Sequence, residues 1–196
     1  MITKRIFDIF FSLLFSPILL ILFIILFFLN SIFNGFPTLF IQRRIGYRNK
    51  KFNIYKFRTF PVNVDENFDI NSLNRWSKFL RVSSLDEIPE FYNVLIGNMS
   101  LVGPRPLLEE YLPLYNEDQI RRHNVKPGIT GLAQISGGNS TSWKERLELD
   151  IKYVENQSFF IDMKILFNTI CVVLSNKDIF SKKITTIKKF EGINEK

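Results

Sequence analysis

Residues 9–29, IFFSLLFSPILLILFIILFFL, contain no charged side chain, and the uncharged stretch runs on to Gln42. A helix built from them is apolar all round, so it needs lipid rather than water against its surface. A secretory signal peptide would have a shorter apolar region followed by a small-residue cleavage site, whereas Phe-rich sequence here continues to Asn30. About 20 helical residues cross the hydrocarbon of a bilayer, so length permits a straight span. The flanks favour another arrangement. Lys4 and Arg5 precede the stretch, and Arg43, Arg44, Arg48, Lys50 and Lys51 follow it, so the positive-inside tendency draws both ends to the cytoplasm. Only a helix that turns back satisfies both ends. Ser16-Pro17 sits near the middle, where proline removes an N–H and clashes with the preceding turn, and where a serine hydroxyl can satisfy the carbonyl so freed. The expectation is a re-entrant helix broken at Ser16 and Pro17. A straight span with a tolerated proline is the alternative.

Around this segment the chain is basic. Its 196 residues suit one ordinary domain, and no linker divides them. Ten of the 21 Phe lie in the first 40 residues, so the aromatic excess belongs to the apolar segment. A net charge of +7 calls for an anionic partner, which charge alone does not choose among nucleic acid, acidic lipid and a phosphorylated substrate. The single Cys171, in ILFNTICVVL, excludes an intramolecular disulfide and reads as a small buried hydrophobe. The lone His123 lacks the Cys or second His of a zinc site and is expected to be solvated or structural.

Beyond the turn signal Gly35-Phe36-Pro37, FIQRRIGYRNKKFNIYKFRTF alternates apolar and basic residues about Arg48-Asn49-Lys50 and predicts a short β-hairpin. Its seven Lys and Arg between Arg43 and Arg58 form either a solvated basic face or a surface for lipid or substrate phosphates. Residues 61–74 predict a polar loop, 107–122 a helix, and a further helix begins near Thr141. The last helix, Phe160 to Ser175, is apolar over more than one face and suits either the core or the plane of a membrane interface. The fold class expected is α+β and predominantly helical: a re-entrant membrane helix, interfacial amphipathic helices and one small β-hairpin. Residues 1–35 would lie in the membrane and 36–196 would form the membrane-associated catalytic domain.

The densest chemistry lies in SSLDEIPEFYNVL, residues 83–95. Ser84 and Glu87 have the spacing of a capping box, with Asp86 only favouring the positive helix end. Pro89 argues for another register. With Asp86 as N-cap it falls at the third helical position, where its missing N–H costs nothing. A phosphate would also bind at that end, and two anions meeting there need cations, for which Arg81 and Arg105 are the nearest candidates. Capping alone remains the simpler role for Asp86 and Glu87, and a surface role the simpler one for Arg105.

Taken in order, KRIFDIFFSLLFSP, QRRIGYRNKKFNIYKFRTF, SLDEIPEFYNVLIGNMSLVGPRPLL, KPGITGLAQISG and LDIKYVENQSFFIDMKIL resemble the bacterial sugar transferase family of monotopic polyprenyl-phosphate phosphoglycosyl transferases. The resemblance runs from about Lys4 to Leu174, and the length resembles the family's minimal catalytic form. It implies that Asp86 attacks the β-phosphate of a UDP-sugar, releasing UMP and leaving a phosphosugar on the enzyme that polyprenyl phosphate then takes. It implies Mg²⁺ beside Asp86, Glu87 as the second acid, Arg81 and Arg105 as phosphate-binding residues, and Ser16-Pro17 as the break that makes the membrane helix re-entrant. The implied location is the bacterial inner membrane, with the catalytic domain facing the cytoplasm and membrane lipid as a further partner. Interfacial helices leave room for a homodimer, although no heptad or self-complementary stripe supports one. One departure stands out: relatives commonly read Ser-Gly-Arg-Asn where this chain has Ser136-Gly137-Gly138-Asn139, so an arginine associated with nucleotide-sugar binding is missing. Lys126 or Lys144 supplies that charge, or sugar preference or activity differs. A catalytically silent membrane adaptor is the competing function. Nucleic-acid binding is set aside because the basic residues flank a lipid segment and no binding module accompanies them.

Overall fold

The computed structural model describes residues 2–62, 68–137, 141–175 and 189–192. Gly138 lies outside them. The apolar stretch forms a single helix, α1 (Ile2–Asn34), which stays α-helical through Pro17. The Ser16 hydroxyl donates to the Leu13 carbonyl at 2.8 Å, the acceptor that Pro17 leaves without its N–H. Both arms of α1 rest on the same body. Phe7 and Phe11 pack against a core cluster that includes Val94, Met99 and Tyr153, and Leu19, Leu22, Phe23 and Leu26 pack with Phe57, Leu80 and Ile88. Between the arms Leu13, Leu14, Phe15, Pro17 and Ile18 are exposed.

Polar ties fasten each arm. At the start, Lys4 pairs with Asp162 at 2.5 Å, Arg5 donates to the carbonyls of Val94 and Leu95, and the buried Asp8 accepts from the Ser100 hydroxyl and the Leu101 N–H. At the end, fully buried Asn30 donates to the carbonyls of Thr38 and Arg58 and accepts from Trp76 and Asn34. The Arg58 guanidinium donates to the carbonyls of Asn34, Gly35, Pro37 and Phe60, covering the helix's last orphan acceptors.

The expected hairpin is present: β1 (Leu39–Ile45) pairs antiparallel with β2 (Lys51–Phe57), and the turn is made by Arg48 and Asn49 in the left-handed region. Its cations divide in role. Arg58 is a buried helix cap, Lys51 pairs with Glu109, Lys56 enters the candidate site, and Arg43, Arg48 and Lys50 are exposed.

Helices α2 (Arg75–Ser83) and α3 (Glu90–Leu95) follow, then β3 (Ser100–Val102), which pairs in parallel with β4 (Gly128–Thr130). Neither this pair nor α2 was expected, because three-residue strands and a nine-residue helix leave little periodicity to see. The β3–β4 crossing is close: a Cβ on Gly128 would sit 2.1 Å from the Gly103 nitrogen and one on Gly103 2.3 Å from the Lys126 carbonyl oxygen. Only glycine fits at either position. Short α4 (Leu132–Ile135), α5 (Trp143–Asn156) with Ser142 as its N-cap, and α6 (Phe159–Ser175) complete the described elements.

Two expectations are corrected, and a third, the solvated or structural role of His123, is narrowed to the structural one. Residues 107–122 do not form one helix but two 3-10 segments, Glu109–Leu114 and Gln119–Asn124. Pro113 withholds an N–H, and Asn116 and Gln119 exchange side-chain-to-backbone hydrogen bonds that start a new turn. Cys171 is exposed rather than buried, on the outer face of α6 with Phe167, Ile170 and Val173. His123 is buried against Tyr115, where burial pushes its imidazole down to about 3, so it is a neutral structural group.

Gly128→Ala is expected to lower stability by at least about 1–3 kcal/mol, because backbone must move to admit the methyl group. Thermal denaturation of the detergent-solubilised full chain measures it, and an unchanged midpoint would refute the close crossing.

Candidate active site

Chain direction changes sharply at Ser84, the residue after α2, which takes a left-handed conformation with φ of 57°. A 3-10 turn, Leu85–Glu87, leads to Pro89, and α3 begins only at Glu90. The expected N-cap register of Asp86 is therefore corrected, and Ser84 is not a side-chain cap either. Pro89 has no N–H to offer, so the backbone winds into it by i→i+3 bonds, from Glu87 to Ser84 and from Ile88 to Leu85. That tighter winding turns the Asp86 side chain inward, where it is 8% exposed.

Four elements meet around it. β2 contributes Lys56, whose ammonium lies 2.7 Å from Glu87 and 2.9 Å from Glu90. α2 contributes Arg81, and the loop after β3 contributes Arg105, which donates to the same Glu87 oxygen at 3.0 Å. Arg105 is itself positioned from behind: buried Arg122, paired with Asp150 at 2.7 Å, donates to the Arg105 backbone carbonyl at 2.7 Å. Arg44, on the neighbouring β1, is half-buried, and burial followed by Arg105 lowers it to about 10.

The sequence-predicted residues Asp86, Glu87, Arg81 and Arg105 thus come together in one cluster. Ser16 and Pro17 lie instead midway along α1, Ser16 half-buried and Pro17 exposed. Lys56 and Glu90 were missed, though each left a signal. Lys56 shares the period-two face of buried Phe52 and Ile54, and a lysine on a core-facing strand position needs carboxylates. Glu90 stands four residues after Asp86 and three after Glu87, a helical spacing that α3 only partly realises.

Glu87 and Glu90 are committed to cations, whereas Asp86 makes no ion pair within 4 Å and no hydrogen bond among the described residues. Burial, then the neighbouring Glu87, pushes its carboxyl up to about 6 against the pull of Lys56, Arg81 and Arg105. Arg81 has its Nε buried without a hydrogen-bond partner, and its guanidinium lies 4.8 Å from the Phe60 ring centre. Burial lowers its affinity for a proton, with Asp86 opposing. An uncommitted carboxylate next to a cation with an unsatisfied donor suits nucleophilic attack on a bound phosphoryl group. Burial works against the charge of Lys56, but Glu87 and Glu90 outweigh it and raise its pKa. No three His, Cys, Asp or Glu among the described residues are arranged to hold a metal by themselves.

A family model described as bacterial sugar transferase matches residues 1–176. The chain belongs to that family. This bacterial sugar transferase is 48% identical over 162 residues to the sugar transferase EpsL of Bacillus subtilis, a match covering 81% of this chain and 80% of that protein. It is 37% identical over 195 residues to the exopolysaccharide production protein ExoY of Rhizobium meliloti, covering 87% and 84%. It is 38% identical over 199 residues to the UDP-glucose:undecaprenyl-phosphate glucose-1-phosphate transferase of Klebsiella pneumoniae, covering 92% of this chain but 42% of that enzyme. The transferase thus spans most of the first two relatives and less than half of the third.

Burial pushes the Glu90 carboxyl up to about 7, with Lys56 opposing and Glu87 adding to the rise. The folded protein then holds a proton that the unfolded chain releases, so this group costs stability as pH rises from its ordinary range through about 7. Glu90→Gln removes that cost and leaves Lys56 paired with Glu87. Its unfolding free energy is expected to exceed that of the wild type by about 1–3 kcal/mol at pH 8 and to converge with it near pH 4. Denaturation midpoints across pH measure this, and a variant less stable at pH 8 would refute it.

Proposed function

We propose that this chain moves a sugar-1-phosphate from a UDP-sugar to undecaprenyl or another polyprenyl phosphate, through a covalent intermediate on Asp86. The observation that carries the reading is the buried, uncommitted Asp86 carboxylate among Lys56, Arg81 and Arg105. Similarity to the UDP-glucose:undecaprenyl-phosphate glucose-1-phosphate transferase of Klebsiella pneumoniae supports the substrate classes.

An Asp86 oxygen attacks the β-phosphorus of the UDP-sugar, and the bond from that phosphorus to the bridging oxygen breaks, releasing UMP. A phosphate oxygen of the polyprenyl phosphate then attacks the same phosphorus and expels Asp86, giving polyprenyl-diphosphate-sugar. Arg81 and Arg105 hold and neutralise the diphosphate, and Lys56 keeps Glu87 and Glu90 from repelling it. Glu87, beside the reacting centre, assists the second attack by handling its proton. Asp86 is the residue fitted to hold Mg²⁺, in the mode that uses one or two carboxylates and leaves the rest of the coordination to substrate phosphates and water. Bound there, the ion would spread and neutralise the diphosphate charge.

Membrane placement belongs to the same reading. Both arms of α1 are tied to one body while Leu13, Leu14, Phe15, Pro17 and Ile18 between them are exposed, which supports a helix that enters and leaves the bilayer on one side. The catalytic domain then faces the cytoplasm of the inner membrane, where its product would begin a surface glycan or glycoprotein.

UMP release from a panel of UDP-sugars by detergent-solubilised enzyme, with Mg²⁺ and undecaprenyl phosphate, tests the proposal. Wild type should release UMP from at least one sugar, and Asp86→Asn should release none. Release by Asp86→Asn at the wild-type rate would overturn the assignment. The rate should fall as pH drops below about 6, because the nucleophile protonates there. Arg81→Gln should lower kcat/KM about 10- to 100-fold, the worth of one charge-assisted phosphate contact.

A further inference from the structure

On the far side of α3 from the transfer site, the start of α1 borders a cavity of about 280 Å³ lined by Lys4, Arg5, Asn124, Lys126 and Gln157 among others. Three cations meet there, and they are not equivalent. Lys4 is neutralised by Asp162. Arg5 donates to the backbone carbonyls of Val94 and Leu95 and makes no ion pair within 4 Å among the described residues. Lys126 is half-buried and makes no ion pair within 4 Å among the described residues. Both cationic tips flank one glycine: a Cβ on Gly97 would lie 3.3 Å from the Arg5 guanidinium and 3.4 Å from the Lys126 ammonium. Burial, then Arg5, lowers the proton affinity of Lys126. Asp8, which also lines the cavity and accepts from the Ser100 hydroxyl and the Leu101 N–H, offsets part of this charge. Two like charges around a cavity favour an anion between them.

The surroundings say where that anion comes from. The same end of α1 exposes Ile2 at 79% and Ile6 at 62%, and the start of α6 exposes Phe160 at 83%. These are surfaces that suit acyl chains, so the cavity sits at headgroup level beside them. We infer that Arg5 and Lys126 bind the phosphate of an anionic phospholipid headgroup, with the Asn124 and Gln157 amides available to its glycerol hydroxyls. This site is separate from the one that receives the UDP-sugar. It depends on α1 lying in a bilayer and not on the transfer chemistry. A lipid bound there would hold α3 from its C-terminal end, through Arg5, while Glu90 at the other end faces Lys56.

Native mass spectrometry of the detergent-solubilised full chain, titrated with phosphatidylglycerol, phosphatidylcholine or soluble sn-glycerol 1-phosphate, tests this. Wild type should retain phosphatidylglycerol in preference to the other two. Lys126→Gln should weaken that binding about fivefold, the worth of one lysine near an anionic lipid surface. Lys126→Arg, which keeps the charge, should retain the lipid, as should Lys50→Gln, an exposed hairpin-turn residue outside the cavity lining. Asp86→Asn should bind phosphatidylglycerol like wild type, so loss of the transferase reading would leave this result standing. Undiminished phosphatidylglycerol binding by Lys126→Gln would overturn the inference. Equal binding of sn-glycerol 1-phosphate would make the cavity a free-phosphate site, and displacement of phosphatidylglycerol by low polyprenyl phosphate would make it the acceptor's. Either outcome would also overturn it.

Discussion

The ammonium of Lys56, held between Glu87 and Glu90, is the interaction on which the candidate site depends. It joins the hairpin to the turn that carries Asp86. Without it buried Glu90 would lose its ion pair beside Glu87, which would keep only Arg105, at a cost of several kcal/mol. Because Lys56 satisfies Glu87 and Glu90, Asp86 beside them is left without a partner. That freedom suits the nucleophilic role proposed for it.

A second constraint reaches the site from the membrane helix. α1 is long enough and apolar enough to cross a bilayer, yet polar side chains hold both its arms on the catalytic body. Asn30 and Arg58 close its C-terminal end with hydrogen bonds to the carbonyls of Asn34, Gly35, Thr38 and Arg58. Arg5 does the converse at the N-terminal end by taking the last carbonyls of α3. Elements of the candidate site are thereby fixed relative to α1, which suits the proposed transfer from a water-soluble phosphate to a lipid one.

Support for the loop that carries Arg105 comes from within the body. Arg122 and Asp150 form a buried pair whose spare N–H holds the Arg105 carbonyl, and the glycine crossing of β3 and β4 sets the path of the chain on either side. Nothing in RRHN or LELDIKY marks Arg122 and Asp150 as partners. They are 28 residues apart, and charged residues in such runs are usually solvated.

Sequence by itself determined the features whose physics is local. An uncharged run of such length requires lipid, basic and apolar alternation around a turn makes a hairpin, and Ser16 can answer the carbonyl that Pro17 frees. The ordered blocks also carried the family and the cluster of Asp86, Glu87, Arg81 and Arg105. Tertiary structure decided what depends on contacts between distant segments. The 3-10 entry to α3 replaced the expected N-cap register because Pro89 and the left-handed Ser84 act together with burial of Asp86. Lys56 and Glu90 became site residues only when β2 was laid against α3. Cys171 turned outward and His123 inward because which face of a segment is covered depends on what packs against it, and no local pattern records that.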